Sequence, residues 1–189
     1  MDQILLAAAA VFGELGYEAT TTNAIAAHAG ISPGSLYQFF RNKEAVARAL
    51  AERYAGELAN LDPIDVTSGT DIAVAVRGAI EPIVAVNLQH PGFKALFART
   101  DMPQSMREAV EPMHERVHGR VTDAIATLIP GLPTGRLATT VTVVLHMVRG
   151  LMPAIIAAPD PTARQVLTDE LCRGLVAYLT AVAADAASA

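Results

Sequence analysis

The sequence predicts an all-α protein. Three observations lead there: a composition 52% hydrophobic but only 5% aromatic and without Trp, apolar residues recurring every three or four positions, and no short alternating Val/Thr/aromatic runs bounded by turns. At 189 residues the chain can form one or two domains with a substantial core. The net charge of −5 excludes a generally basic nucleic-acid coat, while leaving room for a local DNA-reading surface. Cys172 has no second cysteine to pair with, which fits a reducing cytoplasm.

The elements follow in order. Ile4, Ala8, Val11, Phe12 and Leu15 form a helical stripe over about 2–15, stopped by Gly16. This apolar start carries Asp2 and no positive n-region, so it reads as a first helix and not a signal peptide. "ATTTNAIAAHAG" supplies threonines to cap a short helix over about 22–29, closed by Gly30. "ISPGSLYQFF" gives a third helix, with Ser32 as N-cap and Pro33 first in the helix, where its missing N–H does no harm. A fourth helix over 43–61 has Val46, Ala49, Leu50, Arg53 and Tyr54 at helical spacing.

The break "DPIDVTSGTD" (62–71) marks a change of organisation. Beyond it helices are expected at about 71–89, 91–99, 103–129, 134–157 and 161–184, about nine in all, ending in an Ala-rich tail expected to fray. The tract 137–158 is very apolar, but Arg149 and Pro153 in mid-span argue for a buried helix and against a membrane span. The expected domains are 1–50, linked by helix 43–61, and 51–189.

Residues 22–40 have the layout of a helix-turn-helix. Ile25, Ala26 and Ala29 face the first helix, and Ile31 and Leu36 fill the space between the two short helices. That leaves Pro33, Gly34, Ser35, Tyr37 and Gln38 outward, on the element that enters the major groove in such motifs. Ser, Tyr and Gln side chains hydrogen-bond to phosphates or base edges, Gly34 permits close approach, and Lys43 is placed to clamp a phosphate.

"FGELGYEATTTNAIAAHAGISPGSLYQFFRNKEAVARAL" (12–50) resembles the DNA-binding domain of the TetR (tetracycline repressor) family of bacterial regulators across about forty residues. The resemblance implies a homodimer whose third helices read two half-sites of a palindromic double-stranded DNA operator. It also implies a larger helical domain that binds a small-molecule effector releasing the DNA, with no catalysis. Position by position, it implies that Thr22 caps the second helix and contacts phosphate and that Asn23 reaches a base or phosphate. Ser32, Pro33, Gly34, Ser35 and Gln38 match recognition-helix contact positions. Tyr37 matches a phosphate-binding tyrosine, Phe39 a position touching the backbone, and Lys43 a conserved lysine position. The chain departs from the family in having no Lys or Arg on the recognition helix and no basic arm in Met1-Asp2. Modest non-specific affinity is expected, or a chain shortened at its start.

"HERVH" (114–118) fits the HExxH pattern, in which two histidines one turn apart bind zinc and the glutamate is general base. A zinc hydrolase using His114, Glu115 and His118 is therefore the alternative from another class, and a helical partner-binding module that never touches DNA is a third. A zincin needs a third ligand, and the glycine-spaced third His is absent. The expectation is no metal, no cofactor and no enzyme.

The last two helices are apolar around more than one stripe and so need two burial partners, one of them a second subunit. Leu137, Val141, Val144 and Val148 on one, with Leu171, Leu175, Tyr178 and Val182 on the other, are the candidate dimer face. Pocket candidates for a hydrophobic effector are Val84, Leu88, Phe93, Phe97, Met102, Met106, Met113, His114, Val117, His146 and Met147. His146 and Arg149 are polar groups on an apolar helix and must find partners, in a pocket, a dimer interface or the chain itself.

Overall fold

A computed structural model describes residues 1–61, 64, 66–67, 69–89 and 104–187 of the chain. Among these residues the structure has eight helices and no strand: α1 (Asp2–Ala19), α2 (Thr22–His28), α3 (Pro33–Phe39), α4 (Lys43–Ala59), α5 (Ile72–Gln89), α6 (Gln104–Leu128), α7 (Thr134–Ala157) and α8 (Pro161–Ala187). The helix expected at 91–99 lies outside the described residues. The chain divides into two compact units, Met1–Asn60 with Val86–His114, and Leu61–Ala85 with Glu115–Ala189.

The first unit is built on small side chains. Ala8, Ala26 and Ala47 are fully buried beside Phe12, Ile25, Leu36 and Val46, which lets short helices approach closely around one core. Gly16 interrupts α1 as expected, at φ 75° and ψ 166°, but one more turn follows and carries the element to Ala19. That turn returns Tyr17 to the core, where its ring stacks on Phe12 with centroids 5.6 Å apart. Thr20 is buried and donates its hydroxyl to the Gly16 carbonyl at 2.6 Å, satisfying an acceptor the break sets free. The start of α4 is fastened to this corner. The Lys43 ammonium donates to the carbonyls of Tyr17 (2.8 Å) and Glu18 (3.2 Å) and lies 4.5 Å from the centre of the Tyr17 ring.

Asn42 caps α4 by accepting from the Ala45 amide at 2.9 Å. Further along, the buried Tyr54 hydroxyl donates to Asn87 Oδ1 of α5 at 2.7 Å. Burial pushes the Tyr54 phenol well above its ordinary pKa, and the nearby Glu57 charge adds to it.

In the second unit Asp71 opens α5, its Oδ1 accepting from the Ala73 and Val74 amides at 2.8 and 3.1 Å. The three residues 158–160 join α7 to α8, and these two helices pack along each other. Their shared core holds Val141, Ile155, Leu171, Leu175 and Val182, joined by Ile80 of α5 and Ile125 of α6. Gly174 fits a close approach: a Cβ there would meet the Met147 methyl at 3.1 Å. The Ala-rich end expected to fray instead continues α8 to Ala187, because Leu179 and Val182 anchor it in this core. Exposed ion pairs, Arg136–Asp185 at 3.2 Å and Arg77–Asp169 at 3.1 Å, tie α7 and α5 to α8, with solvent screening keeping their contribution small. Burial also raises the pKa of the neighbouring Cys172 thiol, against the lowering effect of Arg77.

α5 and α7 are long and apolar enough, by length and composition alone, to cross a membrane. α7, however, exposes Thr139, Thr142, His146 and Arg149 along its outer side, a face suited to water or protein and not to lipid.

Candidate nucleic-acid interface

The two short helices 22–28 and 33–39 are set by local chemistry. Thr21, extended at φ −120°, is the N-cap of α2, its hydroxyl accepting from the Ala24 amide at 3.1 Å. This corrects the expectation that Thr22 caps the helix: Thr22 is already its first helical residue, so its hydroxyl is turned to other use. Gly30 follows α2 at φ 67°, a left-handed conformation that side chains resist, and the turn closes with Ile31 N–H donating to the Ala26 carbonyl at 3.0 Å. Ser32 then caps α3 by accepting from the Ser35 amide at 3.0 Å, with Pro33 in the first helical turn as expected.

Leu36, fully buried, and Phe40, nearly so, pin one side of α3 to the core. At 100° per residue the opposite side belongs to Gly34 and Gln38, one turn apart and both exposed. Tyr37 and Phe39 flank them, 51% and 52% exposed. The Tyr37 phenol reaches back to α2, its oxygen 3.0 Å from the Thr22 hydroxyl. One of these hydroxyls donates to the other, so one O–H remains for an outside acceptor. The Ser32 and Ser35 hydroxyls are likewise 2.9 Å apart.

The ten residues expected at a DNA interface keep accessible surface: Asn23, Ser32, Pro33, Gly34, Tyr37, Gln38 and Phe39 are exposed, and Thr22, Ser35 and Lys43 half-buried. Lys43, expected to clamp a phosphate, directs two of its three N–H donors to backbone carbonyls of α1. Sequence reasoning passed over Arg41, an exposed base in the turn directly after α3. Its place two residues after Phe39 was the available signal.

Val84 and Met113 are buried, His114, Val117 and Met147 half-buried, and Leu88 is 38% exposed. They divide between the two units: Leu88, Met113 and His114 fall in the first, Val84, Val117, His146 and Met147 in the second. His146 is exposed, its Nδ1 2.7 Å from the Thr142 carbonyl of its own helix, so of the partners considered for it the chain supplies one. Phe93, Phe97 and Met102, and the side chain of Met106, lie outside the described residues. On the expected dimer face Val141, Leu171, Leu175 and Val182 are buried within their own unit, whereas Leu137, Val144, Val148 and Tyr178 are half-buried. Periodicity identified apolar positions but could not tell an inner stripe from an outer one.

In HERVH, Glu115 and His118 are exposed and His114 Nδ1 lies 4.0 Å from Glu111 Oε2. Among the described residues no group of three or more His, Cys, Asp or Glu is placed to hold a metal. The zinc-hydrolase alternative finds no support.

A helical unit presenting a short outward helix after a capped turn, together with a second helical unit, is the plan of a helix-turn-helix transcriptional regulator. Residues 4–50 match the family described as bacterial regulatory proteins, tetR family, and residues 71–179 match the tetracyclin repressor-like C-terminal domain. The chain belongs to the TetR family of transcriptional regulators. Among solved structures, a tetR-family regulator from Streptomyces coelicolor is similar at TM-score 0.74 and 19% identity, over 97% of this chain and 81% of that one. The MbdR regulator from Azoarcus sp. CIB gives TM-score 0.73 at 22% identity, over 93% and 96%. FadR from Bacillus subtilis, solved in complex with stearoyl-CoA, gives 0.62 at 17%, over 98% and 96%. At these identities the likeness is one of fold. Comparison with curated proteins finds no match.

Proposed function

We propose that this protein is a ligand-released repressor, working in the cytoplasm without cofactor or catalysis, which binds a palindromic operator as a homodimer. The observation that carries the reading is the outward side of α3, where Gly34, Tyr37, Gln38 and Phe39 are all exposed while Leu36 anchors the helix. The DNA-binding region is 1–50, joined through α4 to an effector and dimerisation region over 51–189. Thr22, Tyr37, Phe39, Lys43 and Arg41 would meet the DNA backbone, Asn23 would reach a phosphate or a base, and Ser32, Pro33, Gly34, Ser35 and Gln38 would lie along the groove.

Pairing through α7 and α8 would rest on Leu137, Val144, Val148 and Tyr178, since Val141, Leu171, Leu175 and Val182 already fill the chain's own core and have little area left to offer. A hydrophobic small molecule is the effector class. The stearoyl-CoA complex of a fold neighbour supports it, because that protein of the same fold accommodates a long acyl chain. Effector binding would favour a dimer whose recognition helices no longer match grooves about 34–36 Å apart.

The test is a footprint on the intergenic DNA beside the protein's own gene. The expected result is salt-sensitive protection of an inverted repeat, lost in Tyr37→Ala, by a species of twice the chain mass in light scattering. A monomer with no protection at low salt would overturn the proposal.

A further inference from the structure

The geometry points to Gln38 as the side chain that reads sequence, through a bidentate pair with an adenine in each half-site; this rests on the DNA-binding reading above. Hydrogen-bond supply on the outer side of α3 leaves one candidate. Pro33, Gly34 and Phe39 have no side-chain donor or acceptor. The Ser35 hydroxyl is 2.9 Å from that of Ser32, and the Tyr37 phenol is 3.0 Å from that of Thr22, so each is partly committed inside the chain. A lone hydroxyl, moreover, discriminates poorly among bases.

Gln38 is different on both counts. It is exposed on the outermost line of the helix, and among the described residues no hydrogen bond engages its amide. Oε1 accepts and Nε2 donates, which matches the N6–H donor and N7 acceptor that adenine presents side by side in the major groove. Guanine offers two acceptors there and calls for Arg or Lys, and α3 carries neither. The second exposed amide, that of Asn23, is in the first turn of α2, the helix that crosses the backbone in this motif.

Gly34 completes the arrangement. It sits one turn before Gln38 on the same line, and a Cβ there would meet nothing in the chain closer than Ser32 Oγ at 3.7 Å. Internal packing therefore does not require a glycine; its bare backbone lowers the surface beside Gln38 and lets a base edge come within reach of the amide.

The experiment is selection of bound duplexes from a random-sequence pool with the full-length protein, followed by titration of the selected site. The expected motif has an adenine at symmetric positions of the two half-sites. Replacing it with 7-deazaadenine, which lacks the N7 acceptor, should weaken binding by roughly five- to a hundred-fold per half-site. Gln38→Ala should bind natural and 7-deaza duplexes alike, and Gln38→Glu, which accepts only, should select cytosine at that position. Thermal melts within error of the wild type establish that these exposed substitutions leave the fold intact. If both variants return the wild-type motif unchanged, Gln38 is not the reader although the protein binds DNA. If the wild type enriches no motif, the DNA-binding reading fails and this one with it.

Discussion

The scarcity of bases in the helix-turn-helix region makes a quantitative prediction about salt. Residues 1–54 hold four bases, Arg41, Lys43, Arg48 and Arg53, against the five acids Asp2, Glu14, Glu18, Glu44 and Glu52. Arg48 lies 3.9 Å from Glu52, and Arg53 lies 3.4 Å from both Asp2 and Glu57, on parts of α4 and α1 remote in sequence from the recognition helix. Arg41 is exposed and has no ion pair among the described residues, and Lys43 keeps one donor beyond its two carbonyls. A dimer using Arg41 alone neutralises about two phosphates, and one that also uses Lys43 about four, so log Kd against log salt should have a slope of magnitude about 1.8 to 3.6. Raising salt fourfold, from about 50 to about 200 mM, should then cost about 10- to 150-fold in affinity, where 6–10 phosphate contacts would cost about 10³–10⁵-fold. Fluorescence anisotropy of a labelled operator over that range measures it. Arg41→Ala should flatten the slope by about 2 per dimer, and Arg48→Ala should leave it unchanged. A wild-type slope steeper than about 6 would show that bases outside this set grip the DNA, and would refute the reasoning.

Other perturbations separate the parts of the site. Tyr37→Phe should lose affinity by about 0.5–1.5 kcal/mol per half-site with the salt slope intact, since a neutral hydroxyl releases no counterion, and Thr22→Ala should add little on top of it; additive losses in anisotropy titrations would count against a working pair. Gly34→Ala should raise folding stability in urea by about 0.4–1 kcal/mol yet weaken operator binding, and unchanged binding would mean that no backbone approaches there. Tyr54→Phe tests the buried α4–α5 bond: it should cost about 1 kcal/mol at neutral pH. Because the folded Tyr54 pKa is raised, the wild type's phenol contributes its full stability below about pH 10 and loses it as pH rises from there towards the folded value, at up to about 1.4 kcal/mol per pH unit. Urea midpoints at about pH 8 and about pH 11 should therefore fall less for Tyr54→Phe than for the wild type, and equal falls would contradict the shift.

What was legible in the sequence was what local chemistry decides. Ser32-Pro33 opened a helix, Gly30 turned the chain, and Pro and Gly pairs set the limits 134–157 correctly, because caps and breakers act within a few residues of themselves. Where three threonines stood in a row the cap was assigned one residue late, to Thr22, since only backbone conformation distinguishes Thr21 from its neighbours. Lys43 was recognisable as a base beside the recognition helix, but its grip on Tyr17 and Glu18 spans about 25 residues and has no sequence signature. The same limit governs α7 and α8. Their periodicity shows two apolar stripes, yet Val141 is buried in the core and Val144 only partly so, a difference of tertiary packing that spacing does not record.

A reading surface with so little charge alters what an effector has to accomplish. A regulator that holds DNA mainly through its phosphates stays bound non-specifically after losing its operator register, so release requires a large change in geometry. In the proposed dimer the electrostatic contribution would be small, and the affinity that remains would depend on both recognition helices sitting in their grooves at once. Disturbing the spacing of the two removes the specific contacts and leaves little to hold the protein on the duplex. A hundredfold drop in occupancy needs only about 2.7 kcal/mol of difference between the two states, within the usual range of about 1–3 kcal/mol for coupling between distant sites. A hydrophobic effector that favours one packing of a helical domain by the equivalent of one or two buried side chains would supply it. Under the proposed function, the absence of Lys and Arg from α3 would make the bound state easier to leave, and that would lessen what an effector has to supply.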